Sequence, residues 1–139
     1  MDFTIQKIEI QQDTCIKDKL FCYIICMLCT CPQIRINHWQ TTSFSEHKMT
    51  DALFDELNGL IDKLGEATLG RMGSLKTNTV NFQISDISVC STKFLLEKLC
   101  KETCEITEEL SVTNFEDLKN IVADIEGLLN KSKYLLTLE

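Results

Sequence analysis

The stretch from His38 to Glu66, HWQTTSFSEHKMTDALFDELNGLIDKLGE, decides the fold. From residue 47 onward, polar side chains recur at intervals of four, four, three, four and four residues, at His47, Asp51, Asp55, Asn58, Asp62 and Glu66. Because each residue of an α-helix turns about 100°, this set occupies a stripe roughly 100° wide. An apolar stripe runs beside it, at Met49, Leu53, Leu57, Leu60 and Leu64. The pattern predicts one long amphipathic helix.

The polar stripe carries imidazole and carboxylate groups, which are ligand types for divalent first-row metals. His47 and Asp62 are fifteen residues apart, about 22 Å along a helix, so they cannot hold one metal within a single helix. They could meet if the same helix of a second subunit lay antiparallel across a two-fold axis. With the axis at the helix centre, residue i faces residue 113 − i. His47 then faces Glu66, and Asp51 faces Asp62.

The order of these residues resembles a known motif. His-Trp, a short linker, His-x-x-x-Asp and then Asp-x-x-x-Glu on one helix is similar to the ferroxidase motif of the Dps-like branch of the ferritin superfamily. In that family the histidines come from one subunit and the carboxylates from its two-fold mate. The resemblance assigns the metal-ligand and catalytic role to His38, His47, Asp62 and Glu66, and a supporting carboxylate role at the metal to Asp51. It extends to uncharacterised Dps-like proteins of large DNA viruses and phages.

The resemblance implies an all-α fold, a ferritin-like four-helix bundle with one long crossover between the second and third helices. It implies a site that binds iron, or another divalent metal, and a ferroxidase activity that oxidises Fe(II) with hydrogen peroxide or oxygen, for iron storage or peroxide detoxification. It also implies self-association, as an antiparallel two-fold dimer through the second helix and a dodecameric shell. The alternative is a non-enzymatic helical structural or virion protein, with a structural metal or none.

Composition bounds the remaining classes. The chain has 139 residues, so we expect a single domain spanning residues 1–139. A net charge of −7 argues against nucleic acid or an anionic membrane as the default partner. The longest apolar run, from Leu20 to Cys31, is about twelve residues and too short to cross a bilayer. We expect a reducing intracellular compartment, the cytoplasm, or a virion if the chain is viral.

The eight cysteines favour reduced thiols that pack as small apolar groups, because no secretory signal is visible. The alternative is a structural zinc or redox site. Cys26 and Cys29 form a C-x-x-C, and Cys100 and Cys104 are spaced i, i+4.

Four helices are predicted in chain order. Residues 1–12 form either a short extended arm or the first turns of a helix. The first long helix is expected to start near Asp13 or Thr14, either of which can cap it, to bend at Pro32 and to run toward His38. DNA-binding Dps proteins often carry a lysine-rich tail. Residues 1–12 of this chain contain only one lysine, Lys7, so the resemblance is not taken to imply DNA binding. The second helix starts at a capping box, Ser43 with Glu46, and runs to about Leu69, with Gly70 as its C-cap.

A long connection over residues 70–87 follows, and Thr77 to Ile84 alternates enough to be partly extended. Ser88 is expected to cap the third helix, which continues to about Leu110. Thr113 or Asn114 is expected to cap the fourth helix, which ends near Leu136.

Overall fold

The computed structural model describes the backbone of residues 2–138 and the side chains of residues 16–138. Four helices account for most of it: α1 (Asp2–Gln40), α2 (Phe44–Met72), α3 (Thr92–Ser111) and α4 (Glu116–Leu136). No strand occurs within residues 2–138. The predicted all-helical fold class is therefore confirmed.

Contacts at both ends of α3 show that it runs antiparallel to α1. Near the C-terminal end of α1, the Asn37 amide nitrogen donates to the Thr92 hydroxyl over 3.1 Å. Nearer the other end of α1, Lys19 pairs with Glu109 over 2.8 Å. Since α2 folds back along α1 after a short connection, α2 and α3 point in the same direction.

Helix α4 runs antiparallel to α2. Its first turn meets the last turn of α2, where Arg71 Nε pairs with Asp117 over 2.7 Å. At the far end, the Ser45 hydroxyl donates to the Leu138 carbonyl over 2.7 Å. Each helix packs against two antiparallel neighbours, and in the described part of the chain no Cα atom of α2 comes within 8 Å of a Cα atom of α3. The segment that joins α2 to α3 must therefore return along the length of the helices.

One apolar core lies between the four helices. Each contributes fully buried side chains at 3.6-residue spacing, among them Leu20, Met27, Leu53, Leu57, Leu99, Leu118 and Ile125. The apolar run from Leu20 to Cys31, which is too short by itself to cross a bilayer, lies inside the longer segment Ile16–Gln40, which is long and apolar enough by length and composition. Half of its most apolar window is buried against the other helices, as for a core helix of this length.

The start of α1 differs from the predicted cap. Helical backbone extends from Asp2, so residues 2–12 adopt the helical alternative, and Asp13 and Thr14 lie inside the helix rather than at its start. Pro32 lies inside α1, and the helix continues beyond it to Gln40. A proline removes one intrahelical hydrogen bond, but packing on α2 and α3 holds both halves of α1 in one helix.

Helix α2 begins where predicted and ends later. Ser43 is its N-cap, and the Ser43 hydroxyl accepts from the Glu46 N–H over 3.3 Å. The predicted C-cap at Gly70 is wrong, because the helix continues to Met72. Gly73 is the cap instead, with φ of 85° and its N–H donating to Leu69. A left-handed φ favours glycine, whereas Gly70 stays helical.

The starts of α3 and α4 also correct the predicted caps. Ser91 caps α3, because Ser88 is occupied in a turn, where its N–H and hydroxyl both donate to Asp86 Oδ1. Phe115 occupies the N-cap position of α4 and makes no side-chain cap bond, so neither Thr113 nor Asn114 caps this helix. The predicted ends, near Leu110 and Leu136, agree with the structure to within one residue.

The crossover between α2 and α3 contains no regular structure before a turn at residues 87–89. Three amide side chains on one face of α1 hold its second half. Gln33 bonds both backbone groups of Ser85 over 2.7 Å each, Gln40 accepts from the Ile87 N–H, and Asn37 donates to the Cys90 carbonyl. Gln33 and Asn37 are buried. The segment that was expected to be partly extended, Thr77–Ile84, is not assigned as a strand.

Candidate metal centre

His38 and His47 meet at the end of the α1–α2 hairpin. Their imidazole rings stack with centroids 3.9 Å apart and planes 17° from parallel. His38 Nδ1 lies 2.8 Å from the His47 carbonyl oxygen, and His47 Nδ1 lies 2.9 Å from the His38 carbonyl oxygen. Each histidine therefore fixes the ring of the other through its backbone.

These hydrogen bonds define the chemistry of both rings. A carbonyl oxygen can only accept, so each Nδ1 carries the proton and donates. In a neutral ring with this tautomer, Nε2 presents a lone pair, which is the atom that binds a metal. An Nδ1–H donated to a carbonyl is the usual arrangement behind a metal-bound histidine. His38 is 8% exposed and His47 is exposed, so one ring is backed by protein and the other faces solvent.

A small polar network closes the hairpin that brings the rings together. The Thr41 hydroxyl donates to Glu46 Oε2 over 2.6 Å and accepts from the Ser43 N–H over 3.2 Å. The Glu46 carboxylate thus reaches the N-cap backbone through Thr41 rather than directly, as it would in a simple capping box. On the buried side, the Thr50 hydroxyl lies 3.2 Å from His38 Nδ1 and donates to the Glu46 carbonyl.

Asp51 lies one turn beyond His47 and has a partner within its own chain. Arg35 on α1 pairs with Asp51 over 3.1 Å and lies 4.0 Å from Asp55. The guanidinium also stacks over the Phe54 ring, 4.1 Å from its centroid. A cation approaching Asp51 would therefore compete with Arg35 for this carboxylate.

Asp62 and Glu66 lie farther along α2, with exposed side chains. Neither makes a hydrogen bond or ion pair with any residue in the described range 16–138. The helix separates them from His47 by the distance predicted from the sequence. Within one chain, no three His, Cys, Asp or Glu side chains in that range converge to hold a metal. One protomer therefore brings together His38 and His47 but leaves Asp62 and Glu66 far from them.

The described cysteines are free thiols, and Cys15 lies outside the described side chains. Burial raises the pKa of Cys31 to about 11, and burial together with the neighbouring Cys22 raises the pKa of Cys26 to about 11. These thiols stay protonated at neutral pH, and a thiolate is the form that binds zinc or reacts. Among residues 16–138, no three His, Cys, Asp or Glu side chains converge to form the alternative zinc site.

Sequence reasoning missed two participants at this site. Arg35 lies on a different helix from the acidic stripe, and nothing in its local sequence ties it to Asp51. Thr50 lies on the apolar side of α2, so its position in the sequence predicts a core residue rather than a partner of His38. The i, i+4, i+7 spacing of Gln33, Asn37 and Gln40 is the sequence signal for a polar face on α1.

Comparison with known proteins places the chain in a family. Residues 38–136 match the model of a family of unknown function (DUF5856), and the chain belongs to that family. The match begins at His38 and includes α2, α3 and α4. A phage T4 protein, described as an uncharacterized 14.6 kDa protein in the mobD-ri intergenic region, is 34% identical over 104 residues. That alignment covers 73% of this chain and 75% of the phage protein. No solved structure matches.

Proposed function

We propose that this DUF5856 protein is a Dps-like iron-binding protein that oxidises Fe(II) at a site shared between two subunits. The observation that carries the proposal is the His38–His47 pair. Two rings with donated Nδ1 protons offer two Nε2 atoms at one end of α2. Imidazole nitrogens bind Fe(II), and the carbonyls behind them orient the rings without any added charge.

The carboxylates would come from the second subunit. Asp62 and Glu66 lie four residues apart on the exposed face of α2, so both can face one metal ion. In the antiparallel arrangement, Glu66 of the mate lies opposite His47. Each ion would then bind nitrogen ligands from one chain and oxygen ligands from the other. The hard Fe(III) product favours the carboxylate oxygens, whereas the imidazoles hold Fe(II).

The ends of α2 support the same pairing. Phe44 is 75% exposed and Leu69 is 42% exposed, and both lie on the face that carries the acidic stripe. Their numbers add up to 113, so each faces the other across the proposed axis. Two apolar contacts would close the ends of the interface, where burial favours association. The acidic centre would bring Asp51 opposite Asp62, and bound cations would offset that repulsion.

The helix directions also support the proposed ferritin-like topology. Antiparallel neighbours, with α2 and α3 parallel and joined by one long crossover, are features of that fold. In the oxidation step each Fe(II) loses one electron. One peroxide molecule accepts two electrons and, with protons, forms water. The resemblance to the Dps branch adds a dodecameric shell and a cytoplasmic or virion location to the proposal.

A second candidate is a non-enzymatic helical protein of a virus particle. The Arg35–Asp51 ion pair favours it, because this carboxylate is already neutralised without a metal. The phage relative is compatible with a virion role.

Two measurements distinguish these candidates. Anaerobic Fe(II) is mixed with the protein, peroxide is added, and ferric absorbance is followed, with Glu66→Gln beside Asp55→Asn as the matched acidic control. Size-exclusion chromatography with light scattering gives the assembly. Fast oxidation by the wild type and the Asp55 variant, with loss in Glu66→Gln, supports the ferroxidase. A monomer, or oxidation no faster than in buffer, overturns it.

A further inference from the structure

The first half of the crossover leaves its backbone unpaired. Between Thr79 and Ile84 no N–H or carbonyl bonds to any residue in the described range 16–138. Buried backbone groups are nearly always paired, so an unpaired run of this length must face water or a partner. The side chains alternate, with Val80, Phe82 and Ile84 on one side and polar residues between them. They are 49%, 51% and 52% exposed.

The course of this segment is longer per residue than an α-helix allows. It starts at Met72, at the end of α2, and reaches Ser85 beside Gln33. Gln33 lies just before Arg35, which touches Asp51 on α2. Because α1 and α2 are antiparallel, Gln33 lies near the level of Leu53 on α2. From Met72 the segment therefore spans the length of about nineteen α2 residues, about 28 Å. Spread over residues 73–85, this is about 2 Å per residue, more than the 1.5 Å of an α-helix and within reach of an extended chain.

The segment is held at one end and stands away from the helices elsewhere. Gln33 supplies Ser85 with one acceptor and one donor, the two bonds that a neighbouring strand residue would make. A groove of about 560 Å³ lies between the segment and the helices, and it separates Val80 and Phe82 from α1 and α3. The fixed end lowers the entropy cost of pairing, because part of the chain is already ordered.

We propose that residues 76–86 form an intermolecular strand that pairs antiparallel with the same residues of a second copy. In the register where residue i faces residue 162 − i, Lys76 faces Asp86 at both ends. On the same face, Val80 lies opposite Phe82. On the other face, Thr79 lies opposite Gln83. This register joins opposite charges at Lys76–Asp86, apolar groups at Val80–Phe82 and hydrogen-bonding groups at Thr79–Gln83, and it leaves one mixed pair, Ile84 opposite Asn78.

Charge selects a second copy as the partner. The chain is net −7, so most surfaces of two copies repel. Residues 77–85 contain no charged side chain, and the flanking Lys76 and Asp86 have opposite signs. Both flanking residues are exposed, and Lys76 makes no ion pair within residues 16–138. A neutral run with β-branched and aromatic residues and no proline is the composition that favours strand addition.

This inference does not depend on iron or on the α2 face. The test measures the dimer dissociation constant of the full chain by sedimentation equilibrium, and hydrogen exchange of amides 79–84 at low and high protein concentration. Phe82→Pro removes one strand donor per subunit, whereas Phe82→Ala keeps it. We expect the proline variant to dissociate about thirty-fold more readily than the alanine variant, for two lost hydrogen bonds of about 1 kcal/mol each.

Lys76→Glu should also weaken the dimer, and high salt should reduce the difference from wild type. Concentration-dependent protection of amides 79–84, lost in Phe82→Pro, supports the strand. Equal dissociation of the proline and alanine variants overturns it, as does exchange that is independent of concentration. Phe44→Glu reports separately on the α2 face: if it alone dissociates the dimer, the strand proposal fails while the α2 pairing stands.

Discussion

The imidazole rings of His38 and His47 lie 3.9 Å apart, and each is held by the backbone carbonyl of the other residue. A mutual bond of this kind ties the last turn of α1 to the first turn of α2. It places both Nε2 atoms at the end of the acidic stripe. The proposed carboxylate ligands Asp62 and Glu66 lie about 22 Å and about 28 Å away along the same helix. Substitutions at the two histidines are therefore expected to affect the stability of the α1–α2 hairpin as well as metal binding, whereas substitutions at Asp62 and Glu66 are expected to affect metal binding.

We expect Glu66→Ala to nearly abolish iron oxidation and His47→Ala to slow it and weaken Fe(II) binding. Glu66 would supply a charged oxygen ligand for Fe(III), whereas neutral imidazole holds Fe(III) less well. Stopped-flow ferric absorbance with each variant measures the difference. Oxidation by Glu66→Ala at the wild-type rate would show that this carboxylate is not a ligand.

Substitutions at these ligands should affect the stability of the protein in a different order from their effects on iron oxidation. Glu66 is exposed and makes no bond within residues 16–138, so Glu66→Ala should leave the melting temperature nearly unchanged. His38 is buried and bonded, so His38→Ala should cost about 2 kcal/mol. Urea denaturation of both variants gives these values. A large loss in Glu66→Ala would instead indicate a structural role for the acidic stripe.

Arg35→Gln should tighten binding of a divalent metal several-fold. The substitution removes the guanidinium that pairs with Asp51, so a metal no longer has to displace a cation. Titration calorimetry with Co(II), which avoids oxidation, measures the affinity. Arg35→Lys keeps the charge and serves as the control. Equal affinities for all three proteins would mean that Asp51 lies away from the metal.

Much of this fold follows from local pattern. The amphipathic repeat from Met49 to Leu64 predicts α2, and Ser43 predicts its start because a serine hydroxyl can satisfy a free N–H. The sequence predicts the C-cap at Gly70 rather than Gly73, because both positions are glycines near the end of the amphipathic repeat. Only the backbone conformation separates the two glycines, and helix packing sets it. Phe115 replaces a polar cap for a similar reason, since its ring packs under Arg71.

The candidate site likewise has features that the sequence predicts and features that it does not. The spacing of His47 and the acidic residues could be read from one helix, and so could the conclusion that they do not meet within it. The stacking of His38 on His47 and the Arg35–Asp51 pair join different helices. Such contacts depend on how the helices pack, and no spacing within one helix predicts them.

DNA binding should be weak or absent at physiological salt. The chain is net −7, and residues 1–12 contain one lysine, so few phosphate contacts are available. A gel shift with random-sequence duplex at two salt concentrations checks this. Tight binding that weakens steeply with salt would contradict the expectation.

Gln33→Leu should destabilise the protein by about 2 kcal/mol, because the N–H and carbonyl of Ser85 lose their partners. Gln40→Leu removes a single bond to Ile87 at an exposed position and should cost less. Urea denaturation gives the free energies, and limited proteolysis of the crossover locates the change. Equal effects of the two substitutions would argue against Gln33 as the main anchor.

Glu102→Gln should stabilise the protein at pH 7. Glu102 Oε2 is buried and has no hydrogen-bond partner in the described part of the chain, while Lys98 lies 4.0 Å from the other oxygen. Burial raises the pKa of Glu102 above its ordinary 4.5, and Lys98 offsets only part of that rise. The folded state therefore binds a proton more tightly than the unfolded state, and the charged form opposes folding.

The sign of the pH dependence follows from that raised pKa. Above the folded-state pKa the penalty on Glu102 is fully present, and it disappears as pH falls towards 4.5, where the carboxyl is protonated in the folded state. A glutamine carries no charge at any pH, so the advantage of Glu102→Gln should be largest near pH 7 and shrink towards pH 4.5. Urea denaturation across this range measures it, with Glu97→Gln as an exposed control on the same helix, because Glu105 itself contributes to the raised pKa of Glu102. An advantage that stays constant from pH 7 to pH 4.5 would show that it comes from packing rather than from the buried charge.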